Sequence, residues 1–167
     1  MLQSSKVSMR RVWAPWRMPY IEAETQDNGC IFCQPLTLPD GPENLILHRG
    51  HHAFVIINRY PYTSGHVMVV PFAHEPSIER LDDDTLVELM KLCNQSLERL
   101  REAYGAADFN LGINIGRPAG AGVADHVHIH IVPRWNGDTN FMSTTGETRV
   151  IPESLEDTYN RLKDGWS

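Results

Sequence analysis

The sequence predicts an α+β domain built on a largely antiparallel sheet, with one long helix and a short helix near the C-terminus. Three observations carry this. Short runs rich in Val, Ile and Leu recur at 44–48, 52–58 and 66–72, and the last two are joined by RYPYTSG, whose Pro and Gly suit a wide hairpin loop. One stretch, 85–104, repeats its apolar residues at three- and four-residue steps. Beyond it, 109–116 and 126–132 alternate apolar with polar residues.

The chain of 167 residues suits a single domain with a sizeable core. A formal charge of −6 argues against a duplex-binding surface, because phosphate-tracking proteins carry a basic excess. It does not argue against a small anion, which a few cations and backbone amides can hold. No run is long and apolar enough to span a bilayer, and the N-terminus lacks the apolar core of a signal peptide. Three cysteines, two of them in Cys30-Ile-Phe-Cys33, do not make a disulfide framework, and the cytoplasm is the expected compartment.

In chain order, residues 1–29 read as an irregular arm rich in Trp, Arg and Pro, and 30–43 as a turn-rich segment with three prolines. In 85–104 the expected buried stripe is Leu86, Leu89, Met90, Cys93, Leu97 and Leu100. Asp82, Asp83 and Asp84 complement the helix N-terminus, and Gly105 supplies a C-terminal stop. Phe109, Leu111, Ile113 and Ile115 mark one face of a strand as buried. RPAGAG then turns the chain, and a short helix is expected near 152–163.

The strand 126–132 bears the chemistry. Val127, Ile129 and Ile131 take one face, and His126, His128 and His130 the other. Side chains two apart on a strand stand about 6.5–7 Å from each other, so the three imidazoles extend over roughly 13 Å. That is too far for all three to grip one metal ion, but it suits separate tasks: a ligand, a nucleophile and a donor to an anion. A solvent-facing strand would more usually carry Thr, Lys or Glu. Just upstream, Gly116, Gly120 and Gly122 bare their N–H groups in a loop suited to a phosphate.

Cys30-x-x-Cys33 is half of a zinc site by spacing. Two reduced cysteines in a turn are the plainer alternative, and a redox pair lacks the βαβ context it needs. Spacing alone leaves His48, His51, His52, His66 and His74 open as further ligands.

HVHIHIV (126–132) resembles the defining motif of the histidine triad (HIT) superfamily of nucleotidyl hydrolases and transferases. NRYPYTSGHVMVVP (58–71) and NIGRPAGAG (114–122) are similar to its hairpin and its phosphate loop. The Trp13-x-Pro15-x-Arg17-x-x-Tyr20 arm and PRWNGDTNF (133–141) most resemble bacterial diadenosine tetraphosphate phosphorylases within it. The resemblance implies a HIT-like fold, with the arm at 1–29, the catalytic domain with its zinc-binding Cys pair at 30–141, and a C-terminal extension at 142–167. It implies that His128 is the nucleophile, forming a nucleotidyl-histidine intermediate, and that His130 bonds the α-phosphate or bridging oxygen. Asn58 would hold the ribose, and Asn114 with Gly120, Ala121 and Gly122 would hold phosphate; apart from the resemblance, Arg117 by its place in the loop could add a charge-assisted bond. His66 would stand behind the site. By the same resemblance Cys30, Cys33, His74 and His126 bind a structural zinc ion, and the chain forms a homodimer.

One departure bears on the acceptor. Family hydrolases carry Gln followed by Ser or Thr just ahead of the triad, whereas this chain has Ala121, Gly122 and Val123, leaving phosphate to backbone amides. The expected reaction is phosphorolysis of a dinucleoside polyphosphate, diadenosine tetraphosphate with inorganic phosphate giving ADP and ATP. Hydrolysis of dinucleoside polyphosphates or nucleoside phosphoramidates is the alternative within the family. A nucleotide-binding regulator or a zinc-organised interaction module is the alternative of another class. Neither nucleic acid nor membrane is an expected partner. Trp13, Trp16 and Tyr20 would either stack an adenine or pack in a subunit interface.

Overall fold

Five strands and two helices follow the expected order in the computed structural model, which describes residues 29–138 and 153–166. The aromatic arm, residues 139–141 of the tryptophan motif and the start of the C-terminal extension lie outside the described residues. The strands are β1 (Ile46–Arg49), β2 (Ala53–Ile57), β3 (Val67–Pro71), β4 (Asp108–Ile113) and β5 (Ile129–Arg134). They form one sheet in the order β1-β2-β3-β5-β4, with every neighbouring pair antiparallel.

Helix α1 (Asp83–Tyr104) starts where Asp82 accepts a hydrogen bond from the Thr85 amide at 2.7 Å, and stops at Gly105, which adopts φ 61°. An N-cap carboxylate and a left-handed glycine satisfy the orphan groups at the two ends. The helix lies across β2, β3 and β5, and α2 (Leu155–Lys163) packs against α1, β1 and β2. Every residue of β2 and β3 is buried as a result. Glu88 ties helix to sheet: its carboxylate accepts from the amides of His51, His52 and Ala53 in the β1–β2 turn.

Two sequence expectations shift. The buried stripe of α1 runs through Leu89, Leu92, Cys93, Ser96 and Leu100, while Met90 is 54% exposed. Ser96 is tolerated inside because its hydroxyl donates to the Leu92 carbonyl at 2.7 Å, so helical periodicity alone placed the stripe's centre one position off. The second correction concerns β4. Leu111, Ile113 and Ile115 are exposed rather than buried, and Phe109 is half-buried. Leu111 and Ile113 pair with the buried Ile131 and Ile129, but β4 is the sheet edge and α1 leaves it largely uncovered.

Candidate active site

The histidine motif does not run as one regular strand. Pairing with β3 and β4 begins at Ile129, so His126 and His128 belong to the approach to β5, where the Val127 amide donates to the Glu75 carbonyl at 2.7 Å. This breaks the expected linear row. His126 is fully buried and turned toward the cysteines, while the His128 and His130 rings stand 4.8 Å apart between centres.

Cys30, Cys33, His74 and His126 converge, their ligand atoms all within 4.8 Å of one another. Cys30 Sγ lies 3.3 Å from His126 Nδ1, Cys33 Sγ 3.3 Å from His74 Nδ1 and 3.7 Å from His126 Nδ1. A tetrahedral ion bound at about 2.3 Å to sulfur and about 2.0 Å to nitrogen leaves such atoms about 3.5 Å apart. His126 Nε2 donates to the Pro71 carbonyl at 2.9 Å, which leaves the Nδ1 lone pair for a metal. These four residues could therefore hold a metal ion. His48 instead stacks on Trp166, His51 and His52 sit in the exposed β1–β2 turn, and His66 lies elsewhere.

From this cluster the chain leads directly to His128. The His126 carbonyl, two residues back, accepts a hydrogen bond from His128 Nδ1 at 2.9 Å. A carbonyl only accepts, so Nδ1 carries the hydrogen and Nε2 keeps its lone pair. Burial holds the His128 imidazole below its ordinary pKa, and the nearby His126 ring adds to the effect against the hydrogen bond, so the ring is neutral near pH 7. Phe32, inside the Cys-x-x-Cys turn, packs its ring 4.8 Å from His128 and 5.5 Å from His126. A neutral, oriented imidazole with one bare nitrogen is what nucleophilic attack needs.

His128 and His130 open onto a cavity of about 630 Å³. Ile31, Phe32, Leu45, Ile56 and Met68 give it an apolar wall, and Asn58, Asn114, Arg59 and Arg117 line its polar part. Asn58 spends one side of its amide locally, accepting from the Tyr60 amide at 2.9 Å and facing the His66 ring with its nitrogen. His66 is fully buried and reaches His130, its Nε2 3.0 Å from His130 Nδ1. Asn114 Nδ2 donates to the Gly120 carbonyl at 3.4 Å, bracing the glycine loop.

That loop departs from its expected use. The Gly120 amide donates to the Arg117 carbonyl at 2.9 Å and the Ala121 amide to the Gly116 carbonyl at 3.3 Å, closing a 3-10 turn over Arg117–Ala119. Ala121 is buried and does not line the cavity. Gly122, Val123 and Ala124 do line it, and among the described residues their amides meet no partner. The donors available to an anion therefore start at Gly122, two residues later than glycine content alone suggested, because Gly120 and Ala121 spend their amides on the turn that precedes it.

A family model described as the HIT domain matches residues 41–137. The chain belongs to the HIT-domain family. A HIT relative from Mycobacterium tuberculosis, named "AP-4-A phosphorylase", is 36% identical over 166 residues, covering 95% of this chain and 85% of its own. The crystal structure of a hypothetical histidine triad nucleotide-binding protein from Sulfolobus tokodaii is similar at TM-score 0.65 and 29% identity, over 81% of this chain and 91% of that one. A zinc-bound histidine triad family protein from Mycobacterium smegmatis shares the fold at TM-score 0.65 and 24% identity, over 82% and 92% of the two chains.

Within this HIT domain, sequence reasoning missed Phe32 and Tyr62. Phe32 had a signal, an aromatic residue enclosed by the Cys pair that was set against the triad only by folding. Tyr62 stacks on His130 at 5.9 Å and donates its backbone amide to His66 Nδ1 at 3.1 Å. A backbone donor carries no side-chain signature. Among the described residues no helix is long and apolar enough to cross a membrane.

Proposed function

We propose that this HIT protein transfers nucleotidyl groups through His128, and that the reaction is phosphorolysis of a dinucleoside polyphosphate. The observation that carries the reading is the His128 hydrogen bond to the His126 carbonyl, which leaves Nε2 bare beside a cavity of nucleotide size. With diadenosine tetraphosphate, His128 Nε2 forms a bond to an α-phosphorus as the P–O bond to the bridging oxygen breaks, and ATP leaves. An oxygen of inorganic phosphate then attacks the same phosphorus, the P–N bond breaks, and ADP is released. His130 donates to the phosphate oxygens as charge develops, and Asn58 holds the ribose. Asn114 and the loop 120–124, with Arg117, receive the phosphates, the amides of Gly122 and its successors acting as donors. The 36% identity to a relative named for phosphorolysis supports the choice of acceptor.

The Cys30, Cys33, His74 and His126 set fits zinc by donor chemistry and spacing. When bound, the ion supplies a structural clamp rather than Lewis-acid chemistry, since four protein ligands close the site. What the chain itself gains is a fixed His126, whose carbonyl orients His128. The uncovered edge strand β4, with Leu111 and Ile113 exposed on it and Ile115 exposed just beyond its end, supports a homodimer.

The test is product identity. Diadenosine tetraphosphate with labelled phosphate should give ATP and ADP, with the label in the β-phosphate of ADP. Products of AMP and ATP at a rate indifferent to phosphate would make this a HIT hydrolase. No turnover would leave a binding module.

A further inference from the structure

His128 and His130 face one cavity with rings 4.8 Å apart, yet their inner nitrogens meet different partners. Nδ1 of His128 meets a carbonyl; Nδ1 of His130 meets His66 Nε2 at 3.0 Å. Between two imidazole nitrogens either could carry the hydrogen. The choice is made one step further back. His66 Nδ1 lies 3.1 Å from the Tyr62 backbone amide, which can only donate. Asn58 does not decide between the two nitrogens: its Oδ1 is taken by the Tyr60 amide, and its NH₂ lies 3.3 Å from Nδ1 and 3.4 Å from Nε2 of His66, so the Tyr62 amide alone makes the choice. His66 Nδ1 therefore accepts. Burial and the neighbouring His130 and His128 rings push the His66 pKa to about 3, so the ring is neutral and its hydrogen sits on Nε2. That hydrogen points at His130 Nδ1, which must accept in turn.

We propose that His66 is a positioning residue that fixes His130 as its Nε2–H tautomer, opposite to His128, so that adjacent imidazoles offer one substrate a lone pair and a hydrogen-bond donor. The catalytic part of this rests on the nucleotidyl-transfer reading above; the tautomers do not. A second proton on His130 Nδ1 would face the His66 N–H donor to donor, and turning His66 over would face Tyr62 the same way. His130 is thereby kept a neutral donor. During transfer it lends a hydrogen bond from Nε2 to the departing phosphate oxygen, which leaves as an anion, and no proton changes owner. His128 keeps its own proton on Nδ1 against the His126 carbonyl. The chain of constraint starts at a backbone amide in the RYPYTSG loop, and the same residue packs its ring 4.6 Å from the His66 ring.

The experiment has two arms. Long-range ¹H–¹⁵N correlation on the whole histidine-labelled protein reads each tautomer directly. His66 and His130 should show hydrogen on Nε2, and His128 on Nδ1. A His130 carrying its hydrogen on Nδ1, or both, at neutral pH would overturn the proposal. In the second arm His66→Gln, which places an amide N–H where Nε2–H stood, is compared with His66→Leu, which removes the donor. With diadenosine tetraphosphate and phosphate, His66→Leu should lower kcat by about tenfold or more at little change in KM, as a mis-set tautomer does. It should also scramble the His130 tautomer, while His66→Gln restores most of both. Equal loss in the two variants with His130 unchanged would overturn it. If the wild type turns over no dinucleotide, the nucleotidyl-transfer reading falls alone, and the first arm still decides the tautomers.

Discussion

Acidification should cost this protein stability through His66 in particular. The ring is fully buried, and burial first, then the fields of His130 and His128, lower its pKa to about 3 against an ordinary 6.5. In the unfolded chain it binds a proton as pH falls through 6.5, whereas the folded protein declines that proton until about pH 3. Stability is thus complete above the unfolded pKa and falls steadily between the two values. Working the linkage from these pKa values, the loss between pH 7 and pH 5 is about 2 kcal/mol. That is a sizeable fraction of the roughly 5–15 kcal/mol that holds a domain of this size. The assay is urea unfolding at both pH values for wild type and His66→Gln, with metal content equal. Other acid-sensitive groups, His128 and the metal ligands among them, remain in both proteins and cancel in the difference. Wild type should lose about 2 kcal/mol more than the variant on going from pH 7 to pH 5. An equal loss in both would refute the reasoning, because it would mean that His66 takes up its proton in the folded state.

Three further outcomes are expected. Purified protein should carry one zinc per chain, and Cys30→Ser/Cys33→Ser should lose it along with thermal stability, as read by metal analysis and melting; undiminished zinc in that variant would remove the site. His128→Ala should still bind nucleotide, but turnover should fall by about three orders of magnitude or more, with nucleotide binding measured calorimetrically as the control. Ile113→Lys on the β4 edge should shift a dimer toward monomer in sedimentation without changing the folded-state circular dichroism; a wild type that sediments as a monomer would dismiss the interface.

Sequence by itself determined what depends on local chemistry and period. The order of strands and helices followed from hydrophobic periodicity, the ends of α1 from Asp82 and Gly105, and the choice of imidazole for the task from HVHIHIV. It also named Cys30, Cys33, His74 and His126, but only through family resemblance, since spacing left five histidines open. Tertiary structure decided everything that depends on partners distant in the chain. Cys30 and His126 are 96 residues apart, and His66 and His130 are 64 apart, yet each pair meets within 3.3 Å. Burial of β4 could not be read from its alternation, because an alternating strand records that one face is apolar and not which element, if any, covers it. The glycine loop erred for a related reason: glycine reports freedom to turn, and only the closed turn shows which amides it spends on itself. The tautomers of His128 and His130 lie furthest from the sequence. Identical side chains two residues apart acquire opposite roles from a carbonyl on one side and a relayed backbone amide on the other, groups that every residue carries and that only the fold can aim.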